Sequence, residues 1–193
     1  MIVNKNESRD TFIRLCQEHI KRDGIQDLLG WLETTDFYDA PASTKYHLMC
    51  EGGLCQHSIN VFNRLIKEYG EEKEFTIKAL ESIAIVALFH DLCKVNFYTI
   101  STRNVKNEYG EWTKVPYYTV ENKSDLVGHG HKSARIVSKF LDISDEEYMA
   151  ILYHMGYSDY TLEQVSEIFG KNELALLLHV ADTKATFIDE KEN

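Results

Sequence analysis

Histidine and aspartate stand at or near the ends of the two most apolar stretches of this chain. His90-Asp91 closes the run Ile83-Ala84-Ile85-Val86-Ala87-Leu88-Phe89, while His179 and Asp182 lie within Leu174-Ala175-Leu176-Leu177-Leu178-His179-Val180-Ala181-Asp182. Windows apolar nearly all round form helices buried in a core, so each carries a carboxylate to a place where an unpaired charge is costly. No Lys or Arg falls inside either run, and Lys94 and Lys184 lie only at their ends. With side-chain cations scarce and imidazoles beside the carboxylates, a divalent metal is the economical partner, because imidazole nitrogen and carboxylate oxygen are good ligands for first-row metals. An open alternative places Asp91 at a wet helix end and pairs Asp182 with a neighbouring backbone group or a hydroxyl such as Thr183.

The elements that must position these groups are mostly helices. Ser8 to Lys21 reads as a first helix, with Phe12, Leu15, Cys16, His19 and Ile20 on one face and Gly24 as its stop; a short second helix carries Ile25, Leu28, Leu29 and Leu32. Asp36 to Gly53 reads as an irregular loop in which Gly52-Gly53 lets backbone pass closely. From Leu54 to Tyr69, apolar residues recur every three or four positions, Gly70 is the expected C-cap, and His57 falls at the polar margin of the wheel. A helix from Thr76 then runs into His90-Asp91. Residues 97–125 change to aromatic and β-branched types around Asn107-Glu108-Tyr109-Gly110, which predicts one β-hairpin, either a flap over the site or a surface ribbon. Gly128-His129-Gly130-His131 precedes a helix through Phe140, and Ser144 with Glu147 forms a capping box for a helix ending at His154. Leu162 to Phe169 is a short helix, and Asn172 caps the last, which reaches about Ile188.

At 193 residues the chain is read as a single domain, 1–193, large enough to bury roughly 70% of its unfolded surface without a metal or disulfide staple. The four cysteines show no Cys-x-x-Cys spacing and the N-terminus lacks an apolar signal core, so reduced thiols and a cytoplasmic location are expected. No apolar run approaches the roughly 20 residues needed to cross a bilayer, and no membrane partner is expected. A formal charge of −10 weighs against a broad polynucleotide surface, which depends on many Lys and Arg contacts to phosphate. A small phosphorylated ligand remains compatible, because two divalent ions would bring positive charge to one pocket.

Taken in chain order, His57, His90-Asp91, His129, His154 and Asp182 each belong to a different helical element. This pattern resembles the signature of the HD-domain metal-dependent phosphohydrolases. The resemblance runs from Ala40-Pro41-Ala42-Ser43 to the last helix and rests on Glu51-Gly52-Gly53-Leu54-Cys55-Gln56-His57-Ser58, His90-Asp91-Leu92-Cys93-Lys94, Val127-Gly128-His129-Gly130 and Leu178-His179-Val180-Ala181-Asp182. It implies a mainly α fold, an HD-domain helical bundle with the hairpin inserted, in which His57, His90, Asp91 and Asp182 hold a first metal, while His129 and His154 match the positions of a second and Asp91 bridges. Many relatives carry Gly where this chain has Cys93, which is expected to pack.

The implied cofactor is one or two divalent transition ions (Mn, Fe, Co, Ni or Zn), and the implied reaction is hydrolysis of a phosphomonoester or phosphodiester, of a nucleotide or short oligonucleotide, by metal-activated hydroxide. A metal lowers the pKa of its water from 15.7 toward about 7, and two ions about 4 Å apart can hold nucleophile and phosphate together. Asp91 and Lys94 are then the catalytic candidates, with Lys94 neutralising a non-bridging phosphate oxygen from the face it shares with His90 and Asp91. His131 would contact substrate or donate a proton, His47 and Lys45 would line the entrance, His179 would buttress the site or fill the core, and His19 is structural. The resemblance extends to the HD module of bacterial 3′-5′ exoribonucleases, although no companion nucleic-acid-binding domain is recognised. Two alternatives remain open: a di-iron oxygenase of the same fold, similar to myo-inositol oxygenase, and a non-catalytic nucleotide-binding protein.

Overall fold

The computed structural model describes residues 3–72, 74–120 and 128–191. Among these, the chain is mainly helical with one two-stranded antiparallel hairpin. The helices are α1 (Lys5–His19), α2 (Ile25–Leu32), α3 (Gly53–Glu72), α4 (Ile77–Phe89), α5 (His129–Val137), α6 (Asp145–Tyr153), α7 (Leu162–Lys171) and α8 (Glu173–Lys184); the strands are β1 (Thr99–Lys106) and β2 (Trp112–Thr119).

The helix α4 is the axis of the core. Thr76 starts it by accepting a hydrogen bond from the Ala79 N–H at 3.1 Å, and every residue from Ile83 to Phe89 is fully buried. It is packed by α1, α3, α6 and α8. Burial of each large side chain in that run stabilises the fold by about 1.5–3 kcal/mol relative to exposure. The consequence for function is positional, because the chain leaves α4 at His90 and Asp91, in the middle of the protein.

Capping sets several of the other boundaries. The box formed by Ser144 and Glu147 opens α6, a second box of Thr161 and Gln164 opens α7, and Asn172 accepts from the Ala175 N–H at 2.9 Å to open α8. Several boundaries differ from expectation: α5 ends at Val137 rather than Phe140, α8 ends at Lys184 rather than near Ile188, and two more have a visible cause. Asn4 rather than a later residue caps α1, so that helix starts at Lys5, and the Ser8 hydroxyl bonds Gln56 at 2.7 Å inside the α1–α3 contact. Gly70 does not end α3, which continues to Glu72; a Cβ at Gly70 would lie 3.0 Å from the Phe75 ring, which packs on Tyr69.

The hairpin pairs Thr99 with Thr119 through Lys106 with Trp112, turning at Asn107–Gly110. Its strands are largely exposed, with Ile100, Tyr109 and Trp112 among the most exposed large side chains. The flap expected from sequence is therefore confined to the base of the ribbon, where Phe97, Tyr98 and Val120 meet the central cavity. Residues 121–125 of the expected hairpin, and Val127 before Gly128, lie outside the described residues.

Candidate metal centre

Five of the six expected ligands converge at one place: His57 from α3, His90 and Asp91 from the end of α4, His154 from the end of α6, and Asp182 from α8. One group of potential donor atoms joins His57 to His47 and Glu190; two more, His57 with His90 and Asp182, and His90 with Asp91 and His154, are built from the expected ligands, and within each group the atoms lie within 4.8 Å of one another. The latter two share His90, so they are one cluster. His57 Nε2 is 3.1 Å from Asp182 Oδ1 and 3.7 Å from Asp91 Oδ2, while His90 Nε2 is 3.4 Å from Asp91 Oδ2 and His154 Nε2 is 3.6 Å from Asp91 Oδ1. Asp182 bonds His57, not a neighbouring hydroxyl.

One local device orients two of these rings. His90 and His154 each follow the last residue of a helix, and each donates its Nδ1–H to the carbonyl three residues back, His90 to Ala87 at 2.8 Å and His154 to Ile151 at 2.7 Å. A carbonyl only accepts, so the proton is fixed on Nδ1 and Nε2 is turned toward the cluster. Both Nε2 atoms, and Asp91 Oδ1, are buried without a hydrogen-bond partner. Buried polar atoms are rarely left so. Three of them, two imidazole nitrogens and a carboxylate oxygen, face one another, and this donor set fits a divalent cation.

His129, the sixth expected ligand, begins α5 and lines the same cavity, but it belongs to neither group; its Nδ1 lies 3.1 Å from Cys93 Sγ. Cys93 thus packs against a side chain that lines the cavity, and burial pushes its thiol up to about 12. Gly130 makes this arrangement of α5 feasible: a Cβ there would come within 2.0 Å of the Leu152 carbonyl oxygen of α6.

Lys94 is also drawn in. Its ammonium lies 2.7 Å from Asp91 Oδ2 and donates to the Ala42 carbonyl at 2.9 Å. The helix expected to continue here does not: the chain turns through a 3₁₀ segment, Leu92–Lys94, which still brings the lysine back to Asp91. Burial would raise the Asp91 pKa, yet Lys94 and His90 outweigh it and hold the carboxyl well below its ordinary range. Burial likewise opposes charge on His57, but Glu190 and Asp182 raise its pKa to about 10.

Sequence reasoning missed Glu190. Its carboxylate is buried and accepts from His57 Nδ1–H at 2.9 Å, from Asn60 at 2.8 Å and from His47 Nδ1–H. His47 therefore lines the cavity as expected, though one ring nitrogen is committed to Glu190. Lys45 and His131 are exposed and do not line it; Lys45 lies over the Tyr46 ring, and His131 projects from the outer side of α5. His179 donates to the His154 carbonyl at 2.7 Å and packs on Phe169, so it braces the segment that carries a candidate ligand. His19 packs on Phe62, away from the cavity.

The cavity has a volume of about 420 Å³. Its floor is the His/Asp cluster and its walls include Tyr46, Phe97, Tyr98 and Phe187. No helix among the described residues is long and apolar enough to cross a membrane. Comparison of the chain with protein-family models, with curated proteins and with solved structures finds no match.

Proposed function

We propose that this protein is a divalent-metal-dependent phosphohydrolase of the HD-domain type, acting on a phosphomonoester or phosphodiester of a nucleotide or short oligonucleotide. The observation that carries this reading is the set of partnerless buried atoms, His90 Nε2, His154 Nε2 and Asp91 Oδ1, beside the His57–Asp182 pair. His57, His90, Asp91, His154 and Asp182 would hold the ion, with His129 as a further ligand across the cavity. A bound divalent ion supplies Lewis acidity and an acidified water for attack on phosphorus.

The remaining work falls to the chain's own groups. Lys94 keeps Asp91 ionised and stands in the cavity wall, where its charge neutralises a non-bridging phosphate oxygen. Phe97 and Tyr98 present aromatic surface to a sugar or base. The cavity is within the size range of small-ligand sites, and the formal charge of −10 on the chain favours a small substrate over a long polynucleotide.

The test is elemental analysis of protein purified without added metal, followed by phosphatase and phosphodiesterase assays with manganese, cobalt, nickel, zinc and iron each in turn. Bound metal together with phosphoester cleavage supports the reading. Protein that binds none of these ions, or that binds iron and consumes dioxygen without cleaving any phosphoester, overturns it.

A further inference from the structure

Glu190 follows the π-helical segment Ala185–Asp189, more than a hundred residues after His57 in the sequence, yet its carboxylate is nearly fully buried. A lone carboxylate in that setting costs several kcal/mol unless it is matched by donors. Four contacts match it: His57 Nδ1 at 2.9 Å from Oε1 and 3.1 Å from Oε2, Asn60 Nδ2 at 2.8 Å, and His47 Nδ1 on Oε2. The His47 and His57 rings stand edge to face with centroids 4.6 Å apart, so one carboxylate serves both.

The chain delivers Glu190 by an unusual turn. After α8 the backbone widens into a π-helical segment, Ala185–Asp189, and the Glu190 N–H returns to the Ala185 carbonyl at 3.0 Å. Three side chains of α3 hold this segment in place. Glu68 pairs with Lys184 at 2.8 Å, Arg64 grips both oxygens of Asp189, and Asn60 bonds Glu190. With His57 these residues form one stripe along α3 at intervals of three and four, so the last turn is bound to the helix that carries the ligand.

We propose that Glu190 is a positioning residue of the metal centre, fixing the proton of His57 on Nδ1 and aiming its Nε2 at Asp182 and the bound ion. The inference rests on the metal-centre reading above, since it assigns the ion to the Nε2 side of the ring. The donor geometry is the physical reason. A carboxylate only accepts, so the nitrogen facing Glu190 must carry hydrogen; Nε2 faces Asp182 in the metal-free ring and carries a proton there, and with Nδ1 held by Glu190 it is the nitrogen at which an ion would displace that proton.

The experiment uses the full chain with Zn²⁺ as the probe. Chelator competition on the wild type, Glu190→Gln and Glu68→Gln measures affinity, and proton-nitrogen NMR of the metal-free proteins follows the ring N–H of His57. Glu190→Gln is expected to weaken Zn²⁺ binding tenfold to a hundredfold and to shift the protected, downfield His57 Nδ1–H resonance, while Glu68→Gln, which frees Lys184 on the same face, changes neither. Equal effects of the two variants would reduce Glu190 to a structural anchor and overturn the proposal, as would an anomalous-scattering peak for zinc placed between His47, His57 and Glu190. Should Glu190→Gln fail to fold, the wild type decides: a His57 Nδ1–H that exchanges freely with solvent sinks the inference. A protected Nδ1–H in a protein that binds no Zn²⁺ would instead refute the metal-centre reading and leave only the Glu190–His57 contact.

Discussion

Lys94 Nζ lies 2.7 Å from Asp91 Oδ2, while the other oxygen of that carboxylate is buried with no hydrogen-bond partner. Oδ2 thus meets Lys94 with the His90 and His57 rings beside it, whereas Oδ1 faces the His154 ring. Removing the lysine leaves an uncompensated buried charge, which typically costs about 3–5 kcal/mol. Lys94→Ala should therefore lower the stability of the metal-free protein by about that much, and added divalent ion should restore more stability to the variant than to the wild type. Asp91→Ala should abolish metal binding altogether. Chemical denaturation with and without metal distinguishes them; equal loss of metal from both variants would mean that Lys94 is needed to build the site and not only to serve it.

His90 and His154 make the same hydrogen bond to the carbonyl three residues back, and each presents an unpaired Nε2. If those atoms are ligands, His90→Ala and His154→Ala should each weaken metal binding by more than the tenfold to hundredfold that loss of an outer hydrogen-bonding partner costs. Elemental analysis after dialysis against a mild chelator reads this directly. Retention of full metal content by either variant removes that histidine from the centre.

How much of this was legible in the sequence follows from where each group lies. His90, Asp91 and Asp182 end or interrupt helices whose apolar pattern is strong, so their placement in the core could be read before their contacts, whereas His154 was legible only as the end of a capped helix. Glu190 could not be found this way, because Asp189-Glu190-Lys191-Glu192 reads as a solvated acidic tail with no periodicity. The missed signal lay on α3, where His57, Asn60, Arg64 and Glu68 repeat at intervals of three and four. A polar stripe of that length is also what a helix needs to bind a charged terminal segment. Lys94 was legible as a neighbour of Asp91 from its spacing of three residues, whereas the 3₁₀ turn that replaces the continuing helix was not. The exposure of the hairpin strands was not readable at all, since β-branched and aromatic residues suit a buried face and a bare ribbon equally.

Glu147 supplies a pH-dependent part of the stability, distant from the candidate centre. It is fully buried, takes two hydrogen bonds of 2.6 Å from Arg22, one of 2.6 Å from the Ser82 hydroxyl and one of 2.7 Å from the Ser144 N–H. Burial favours its neutral form, but these donors prevail and lower its pKa below the ordinary 4.5. A carboxyl whose folded pKa is depressed adds stability above the unfolded value and loses it as pH falls through the folded one. Glu147→Ala should cost about 3 kcal/mol near neutral pH, the lower end for a broken buried pair because Arg22 keeps Glu81 and the Asp142 carbonyl. The gap between wild type and variant should close as pH drops below 4.5; denaturant titrations at the two pH values test it, and a gap that widens in acid would reverse the assignment.

Gly53 links the loop before α3 to the same lysine. A Cβ at this position would sit 2.2 Å from the Leu48 carbonyl oxygen and 2.9 Å from the Ala42 nitrogen. Those two atoms are joined by the hydrogen bond that closes the 42–48 turn, at 3.1 Å. The Ala42 carbonyl in turn receives Lys94 and the Tyr98 hydroxyl, at 2.9 and 3.0 Å. Backbone cannot give way as a flexible side chain does, so Gly53→Ala must push the turn from α3, at a cost of about 1–3 kcal/mol. The displacement should reach the cavity wall before the floor, because Ala42, Lys94 and Tyr98 move with the turn, whereas His90 and His154 are fixed by their own helix ends. Reduced thermal stability and slower phosphoester turnover with undiminished metal content is the expected pattern. Loss of metal in step with turnover would show that the turn supports the ligands themselves, through His57 one helical turn further along α3.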